Sequence, residues 1–243
     1  MAEIFSFKLT DEFVSSYKNK QVPWGYRDAA GNSVGEITFI RTYSRLKQDG
    51  SKERWYEVCN RVINGIYSIQ KNWAKQHRLP WNDNKAQASA KEAFDRMFNL
   101  KWTPPGRGLW LMGTEVVMER NLGAGLQNCG MISTYDMTKK DPGEPFAWAM
   151  DALMCGIGVG FDVRGAEKEF VIYDNRSGVL IYTIPDSREG WAESIRLLVN
   201  SYLVAGESPV RFVYSMIRPY GEPIKGFGGT ASGPDPLRRI HNQ

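Results

Sequence analysis

Apolar residues in the first third of the chain recur at steps of three and four positions, the repeat of one helix face. The first run begins at Trp55, and the second covers residues 85 to 99. The apolar positions are Val58, Cys59, Val62, Ile63, Ile66 and Tyr67, followed by Ala86, Ala90, Phe94, Met97 and Phe98. The pattern predicts two amphipathic helices, with Cys59 as a small buried residue of the first. The segment WTPPG at 102 to 106 ends the second helix, because proline has no amide proton to donate.

Beyond residue 106 the pattern changes to short apolar runs separated by glycine-rich loops. Residues 145 to 155 open with proline and close against Gly156, which predicts a helix. Residues 160 to 163 and 210 to 217 predict strands. Strand, helix and strand in succession favour a parallel α/β sheet, in which ligands bind beyond the carboxyl ends of the strands.

Two local features fill the stretch between these strands. The runs 170 to 173 and 179 to 184 flank the turn sequence DNRSG, which predicts a β-hairpin. Asp186 and Glu189 have the spacing of a capping box, which predicts that a helix begins there.

Composition narrows the class of protein. The 243 residues are 42% hydrophobic, which suffices for a core, and the net charge of +4 is spread too evenly for a nucleic-acid surface. No apolar run is long enough for a bilayer, and MAEIFSFKLT lacks the apolar core of a signal peptide, so a cytoplasmic location is expected. Three cysteines without paired spacing fit a reducing compartment. Two distant histidines predict no metal site.

Two glycine-rich segments invite a phosphate-binding interpretation. In GIGVG at 156 to 160 the glycines leave a helix and enter a strand, the reverse of the dinucleotide-binding order, so close backbone packing is favoured. IKGFGGTASGP at 224 to 234 follows a strand and carries Thr230 and Ser232. Its amides and hydroxyls suit an anion, but an ordinary surface turn has a similar composition, and both interpretations stay open.

Several segments occur together in a characteristic order. They are TPPGRGLWLMGT at 103 to 114, LQNCGMI at 126 to 132, MDALMCGIGVGFDV at 150 to 163, PDSREGW at 185 to 191 and IRPYGEPIKGFGGTASGP at 217 to 234. Together they resemble the adenosylcobalamin-dependent ribonucleoside-triphosphate reductases, the class II ribonucleotide reductases. The resemblance runs from FIRTYSR at 39 to 45 through PDPL at 234 to 237.

The resemblance implies an α/β fold, with an N-terminal helical region followed by the first half of a ten-stranded α/β barrel. Residues 1 to 101 correspond to the helical region and residues 102 to 243 to the incomplete barrel. In the family, a thiyl radical generated with adenosylcobalamin removes the ribose 3′-hydrogen, and a pair of cysteines then replaces the 2′-hydroxyl by hydrogen. Cys129 matches the first cysteine of that pair, although a buried structural thiol is the alternative.

The resemblance also implies two groups of nucleotide-binding residues. The substrate group is Pro105, Arg107, Asn128, Gly130, Gly228, Gly229, Thr230 and Ser232. For Arg107, a phosphate contact and a structural salt bridge are equally open. The effector group is Pro145, Phe146, Met150, Asp151 and Met154. Only residues 162 to 184 separate GVGF from PDSREGW, fewer than monomeric relatives use, so effector control is either reduced or completed by another subunit.

The family's N-x-C-x-E arrangement, with the radical cysteine and glutamate, is absent from this sequence. We therefore expect a second reductase polypeptide to complete the barrel and to provide most of the cobalamin site. The other expected partners are a ribonucleoside triphosphate, a deoxynucleoside triphosphate effector and a dithiol reductant such as thioredoxin; nucleic acid and membrane are not expected. The alternative is a non-catalytic nucleotide-binding module, for which a thiol at position 129 has no use.

Overall fold

The computed structural model describes residues 5–47, 49–119, 122–173, 177–224 and 230–243. The chain forms two compact units, residues 1–126 and 127–243. The family resemblance implies that the helical region ends at residue 101, and that domain assignment stays a prediction. Every helix in the described ranges is too short or too polar to span a bilayer.

The first unit is helical in its described part. Its helices are α1 (Asp11–Ser15), α2 (Val34–Thr38), α3 (Trp55–Gln76), α4 (Asp83–Phe98), α5 (Gly106–Leu111) and α6 (Glu115–Met118). A π-helical turn, Phe39–Tyr43, follows α2, and a 3-10 turn, Gly123–Leu126, follows α6. The two long helices that the apolar repeat predicts are therefore confirmed as α3 and α4.

The core of this unit lies between α3 and α4. Val58, Cys59 and Val62 of α3 and Phe94 of α4 are completely buried. Burial of a side chain of this size contributes about 1.5–3 kcal/mol, so this stripe is the main attachment of the two helices. Asn82 caps α4 by accepting a hydrogen bond from the Lys85 amide at 3.0 Å.

The second unit contains two strand–helix–strand segments. Strand β1 (Cys129–Ile132) pairs in parallel with β2 (Gly158–Phe161), and α7 (Glu144–Met154) connects them. Strand β3 (Leu180–Thr183) pairs in parallel with β4 (Val210–Val213), and α8 (Arg188–Leu203) connects those. The last helix is α9 (Asp235–His241), and short 3-10 turns occupy Thr134–Asp136 and Arg164–Lys168. Parallel α/β pairing is confirmed, whereas the half-barrel stays a prediction.

The glycine-rich GIGVG segment lies between α7 and β2. Gly156 has a φ of +76° directly after the helix, and β2 begins at Gly158. The left-handed backbone at Gly156 turns the chain from helix to strand, a conformation that favours glycine. The glycines thus lie at a helix carboxyl end, as the sequence order predicts.

The predicted hairpin is wrong. Described residues 170–173 form no strand, and the Tyr173 amide donates instead to the Tyr202 carbonyl at 2.9 Å. Leu180 to Thr183 pair with β4, a strand 30 residues further along the chain. Turn-like composition is a local signal, and here the non-local parallel pairing around α8 prevails.

The predicted capping residue of α8 is also wrong, because the cap is Ser187 rather than Asp186. Ser187 Oγ accepts a hydrogen bond from the Gly190 amide at 3.1 Å. Asp186 instead accepts one from Arg218 Nε at 2.7 Å. The predicted strands are also displaced or shortened, since β2 begins two residues before position 160 and β4 ends at Val213 rather than at residue 217.

Candidate functional site

Cys129 is the first residue of β1, and its side chain is exposed. Its partner in the strand register is Gly158, at the start of β2. A Cβ on Gly158 would stand 4.0 Å from Cys129 Sγ, so the missing side chain leaves the space beside the thiol open. An exposed thiol next to open space can react with a second sulfur or with a bound molecule.

The residues on either side of Cys129 have different surroundings. Asn128 is exposed, and its carbonyl accepts a hydrogen bond from the Gly158 amide at 3.0 Å. Gly130 lies against Trp148, where an added Cβ would come within 3.1 Å of the indole ring. Gly130 therefore permits close packing of α7 on β1, while the Asn128 side chain is accessible.

The other two cysteines are buried in the interior. Cys59 lies in the core of the first unit, and burial raises the pKa of its thiol well above the ordinary value. Cys155 follows α7, is 1% exposed, and its sulfur accepts a hydrogen bond from Arg188 Nη1 at 2.8 Å. Cys129 is thus the one thiol of the three that an outside molecule reaches directly.

The carboxyl ends of β1 and β2 are joined by Asp162, a residue that the sequence did not single out. Its carboxylate accepts hydrogen bonds from the Ser133 hydroxyl at 2.7 Å and from the Thr134 hydroxyl at 3.0 Å. Arg164 also donates to it, through Nε at 3.0 Å. The Ser133 hydrogen bond is the largest cause, and with the others it holds the pKa of Asp162 below its ordinary value. The position directly after a strand was the available signal.

The predicted effector residues on α7 differ in their surroundings. Pro145 is buried, and Met150 packs against the core formed by Ile184, Ile217 and Leu237. Phe146 is 39% exposed, and Met154 is half-buried. Asp151 forms an ion pair with Arg188, with Oδ1 at 3.2 Å from Nε. Pro145 and Met150 therefore contribute packing, and Phe146 is the most accessible of the group.

Thr230 and Ser232 are both exposed and lie at a short antiparallel contact, of which Thr230 is a member. Pro223 and Thr230 form an isolated bridge, the Gly221 amide donates to the Ala231 carbonyl at 2.9 Å, and the Ala231 amide donates to Glu222 at 2.7 Å. We call residues 219–224 with 230–233 the Thr230 arm. The predicted Gly228 and Gly229 lie outside the described residues.

Pro105 and Arg107 belong to the first unit. Pro105 is exposed immediately before α5, and the Arg107 guanidinium lies 5.9 Å from the centre of the Trp110 ring. Arg61 holds the other end of α5 by donating to the carbonyls of Leu109 at 3.0 Å and Met112 at 2.6 Å. Pro105 and Arg107 thus lie in the first unit, and the other predicted site residues belong to the second. The roles of all these residues stay predictions.

The two histidines of the chain, which are common metal ligands, contact neighbouring side chains. His241 hydrogen-bonds to Tyr214 at 2.7 Å and Ser194 at 3.0 Å, and burial lowers its pKa to about 4. His77 lies against Trp73, with ring centres 3.8 Å apart. No group of three His, Cys, Asp or Glu side chains in the described ranges has the arrangement of a metal site. The imidazoles of His241 and His77 are thus engaged in hydrogen bonds or ring contacts with neighbouring side chains of their own units.

The chain is similar to known proteins along most of its length. The family "Ribonucleotide reductase alpha domain" matches residues 9–114, and "B12-dependent ribonucleotide reductase, insertion domain" matches residues 162–242. A probable adenosylcobalamin-dependent ribonucleoside-triphosphate reductase of Dictyostelium discoideum is 43% identical over 99% of this chain and 33% of its own length. The adenosylcobalamin-dependent ribonucleoside-triphosphate reductase of Euglena gracilis is 37% identical over 99% of this chain and 32% of its own length.

A crystal structure described as a B-12 dependent (class II) ribonucleotide reductase matches the fold with a TM-score of 0.75 and 26% identity. The match covers 97% of this chain and 39% of that protein. The chain therefore spans about a third of the length of the curated relatives that it matches. The resemblance carried by the sequence motifs is confirmed: the chain matches ribonucleotide reductase domains over residues 9–114 and 162–242 and resembles the N-terminal part of the adenosylcobalamin-dependent, class II ribonucleotide reductases.

Proposed function

We propose that the protein containing this chain reduces ribonucleoside triphosphates to 2′-deoxyribonucleotides, and that Cys129 is one thiol of the reducing pair. The observation that carries the proposal is the placement of Cys129. It is the exposed cysteine of the chain, it begins a strand of a parallel pair, and Gly158 leaves the space beside its sulfur open.

The chemistry of two thiols balances the proposed reaction. Replacing the ribose 2′-hydroxyl by hydrogen releases water and consumes two electrons and two protons. Two thiols that become one disulfide supply both electrons and both protons, and a dithiol reductant such as thioredoxin then restores them. Cys129 provides one of the two electrons and one of the two protons.

The second thiol of the pair is proposed to lie outside these 243 residues. Cys59 and Cys155 are each buried in the core of a unit, and neither offers its sulfur to a bound nucleotide. We propose that the cysteine that carries the radical and its neighbouring glutamate lie outside this sequence as well. A second stretch of reductase polypeptide is therefore the main proposed partner.

Adenosylcobalamin is the cofactor of the family, and when bound it supplies the radical that starts the reaction. The described residues of this chain have other tasks. Asn128 presents an exposed amide beside the thiol, and Thr230 and Ser232 present exposed hydroxyls suited to a nucleotide. We assign Pro105, Arg107, Gly130, Gly228 and Gly229 to the same substrate role.

Regulation is proposed for the α7 face. Phe146 is exposed there, while Asp151 is held by Arg188. A deoxynucleoside triphosphate that contacts this face would sense the position of α7, which packs on β1 through Trp148 and Gly130. Pro145, Met150 and Met154 would act by keeping the helix in place, since Pro145 and Met150 are packed inward.

The Cys129→Ser variant tests the proposal in the full-length protein, with adenosylcobalamin and an external dithiol reductant. We expect multiple turnover to be lost, because a hydroxyl cannot form the disulfide that ends each cycle. Cys59→Ala is the matched control, since it removes a thiol from a core that has no proposed part in the chemistry. Unchanged multiple turnover in Cys129→Ser would contradict the role of Cys129, and nucleotide binding without turnover in the unaltered protein would favour a non-catalytic module.

A further inference from the structure

Two motif residues without an assigned role contact each other. Asp186 belongs to PDSREGW, and Arg218 belongs to IRPYG. Arg218 Nε donates a hydrogen bond to Asp186 Oδ2 at 2.7 Å, and Nη1 donates to the Pro223 carbonyl at 3.2 Å. The guanidinium thus connects a segment that follows one strand with the beginning of the Thr230 arm.

The contact lies beyond the carboxyl ends of two neighbouring parallel strands. Asp186 follows β3, which ends at Thr183, and Arg218 follows β4, which ends at Val213. The carboxyl ends of parallel strands meet at one edge of a sheet, where ligands bind in α/β proteins. Arg218 and Asp186 are therefore placed where the arm leaves the sheet.

The second contact of Arg218 reaches the base of the arm. Pro223 supplies the carbonyl, and the same residue bridges Thr230 across the arm. The Ala231 amide reinforces this base by donating to the Glu222 carbonyl at 2.7 Å. A change in the position of Arg218 is therefore transmitted to Thr230 through one bridged residue.

The solvent exposure of the Arg218–Asp186 ion pair indicates whether it orients a loop or stabilises the fold. Both side chains are 31% exposed, and ion pairs open to solvent contribute little to stability. A planar guanidinium, however, fixes two acceptors in a set direction, which the single ammonium of lysine does not do. The arrangement suits a residue that orients a loop more than one that holds the fold together.

We propose that Arg218 is a positioning residue that orients Thr230 and Ser232 toward the ribonucleotide substrate, with Asp186 fixing the direction of its guanidinium. This inference rests on the proposed function, because it assigns the arm to the same substrate. The chemical class recognised is a ribonucleoside triphosphate, and the arm contributes hydroxyl groups to its binding.

The test uses the full-length protein and measures kcat and KM for each of the four ribonucleoside triphosphates. Arg218→Gln removes both contacts, and we expect KM to rise about tenfold because the arm is misplaced. The increase should differ among the four bases, since a displaced arm changes recognition unequally. Asp186→Asn should change KM in the same direction but less, and Arg218→Lys should recover part of the loss.

Arg96→Gln is the matched control, because Arg96 forms an exposed ion pair with Glu92 at 2.7 Å within α4. Its kinetic constants should equal those of the unaltered protein, and the unfolding midpoints of Arg218→Gln and Arg96→Gln should agree. Unaltered KM values in Arg218→Gln would overturn the inference. A lowered midpoint in Arg218→Gln and Arg218→Lys, with equal loss for all four substrates, would assign a structural role and overturn it as well. Failure of the unaltered protein to bind or convert any ribonucleotide would instead refute the proposed function itself.

Discussion

Cys129 and Gly158 are partners in the register of β1 and β2, and the position of a Cβ on Gly158 lies 4.0 Å from Cys129 Sγ. The backbone at Gly158 is not in the left-handed region, so a side chain is compatible with its conformation. A side chain larger than a methyl group there would occupy space beside the thiol. The register of β1 and β2 therefore determines which residue lies beside the Cys129 thiol.

Gly158→Val should slow the reaction of Cys129 with a bulky maleimide, because two added methyl groups occupy the space beside the sulfur. Gly158→Ala should have a much smaller effect, since its Cβ makes only ordinary contacts. Alkylation rates at Cys129, followed by mass spectrometry, provide the measurement. Equal rates in the valine variant and the unaltered protein would show that Gly158 does not limit access.

Arg61→Met should lower the free energy of unfolding by about 3–5 kcal/mol, because it leaves the Glu53 carboxylate buried without its partner. Arg61 and Glu53 are only 12% and 11% exposed and lie 2.7 Å apart. Loss of Arg61 also leaves the carbonyls of Leu109 and Met112 without its hydrogen bonds. Urea denaturation provides the measurement.

Arg96→Met is the control for that experiment. Arg96 is 62% exposed in its ion pair, so its removal should change the free energy of unfolding by about 0.5 kcal/mol or less. Similar values for the two variants would contradict the assignment of Arg61 as the residue that anchors α5.

His241 should make the second unit less stable as the pH falls from about 6.5 toward 4. Burial lowers the pKa of His241 to about 4 in the folded chain, whereas an unfolded histidine titrates near 6.5. Between these values the unfolded state binds more protons, so stability increases with pH across this window. The His241→Gln variant should therefore show a shallower pH dependence of its unfolding midpoint.

Ser194→Ala is the matched control for the histidine experiment. It removes the hydroxyl 3.0 Å from His241 Nε2 but keeps the imidazole and its contact with Tyr214. Its pH dependence should remain close to that of the unaltered chain. A pH dependence of His241→Gln equal to that of the unaltered chain would exclude His241 as the source.

The elements that the sequence predicted well are those with a long periodic pattern. α3 has 22 residues, and its apolar stripe places Cys59 in the core because helix periodicity is a local property. α7 was recognisable from Pro145 at its start and Gly156 after its end. Helices of this kind can be predicted from the local sequence alone.

The elements that the sequence predicted poorly depend on distant partners or on a choice between neighbours. Leu180 pairs with Val210 rather than with the segment before the turn, and no local pattern encodes that choice. Asp186 and Ser187 are both good capping residues, and Arg218, far along the chain, engages the aspartate.

The candidate site also contains residues that a local motif identifies and residues that only distant contacts identify. The sequence identified Cys129 through its motif, and the structure adds the exposure of the thiol and the open position at Gly158. Asp162 was missed, because its importance comes from Ser133 and Thr134 at the end of another strand. Side chains that join two strands become visible only when the strand register is known.

The two parallel pairs join residues at nearly equal separations in the chain. Cys129 pairs with Gly158 and Leu180 with Val210, which are 29 and 30 residues apart. Each pair completes its ladder around its own crossover helix, without strands from the other pair. During synthesis on the ribosome, β1 and β2 can therefore associate before β3 and β4 have emerged, which divides a slow non-local folding problem into two shorter ones.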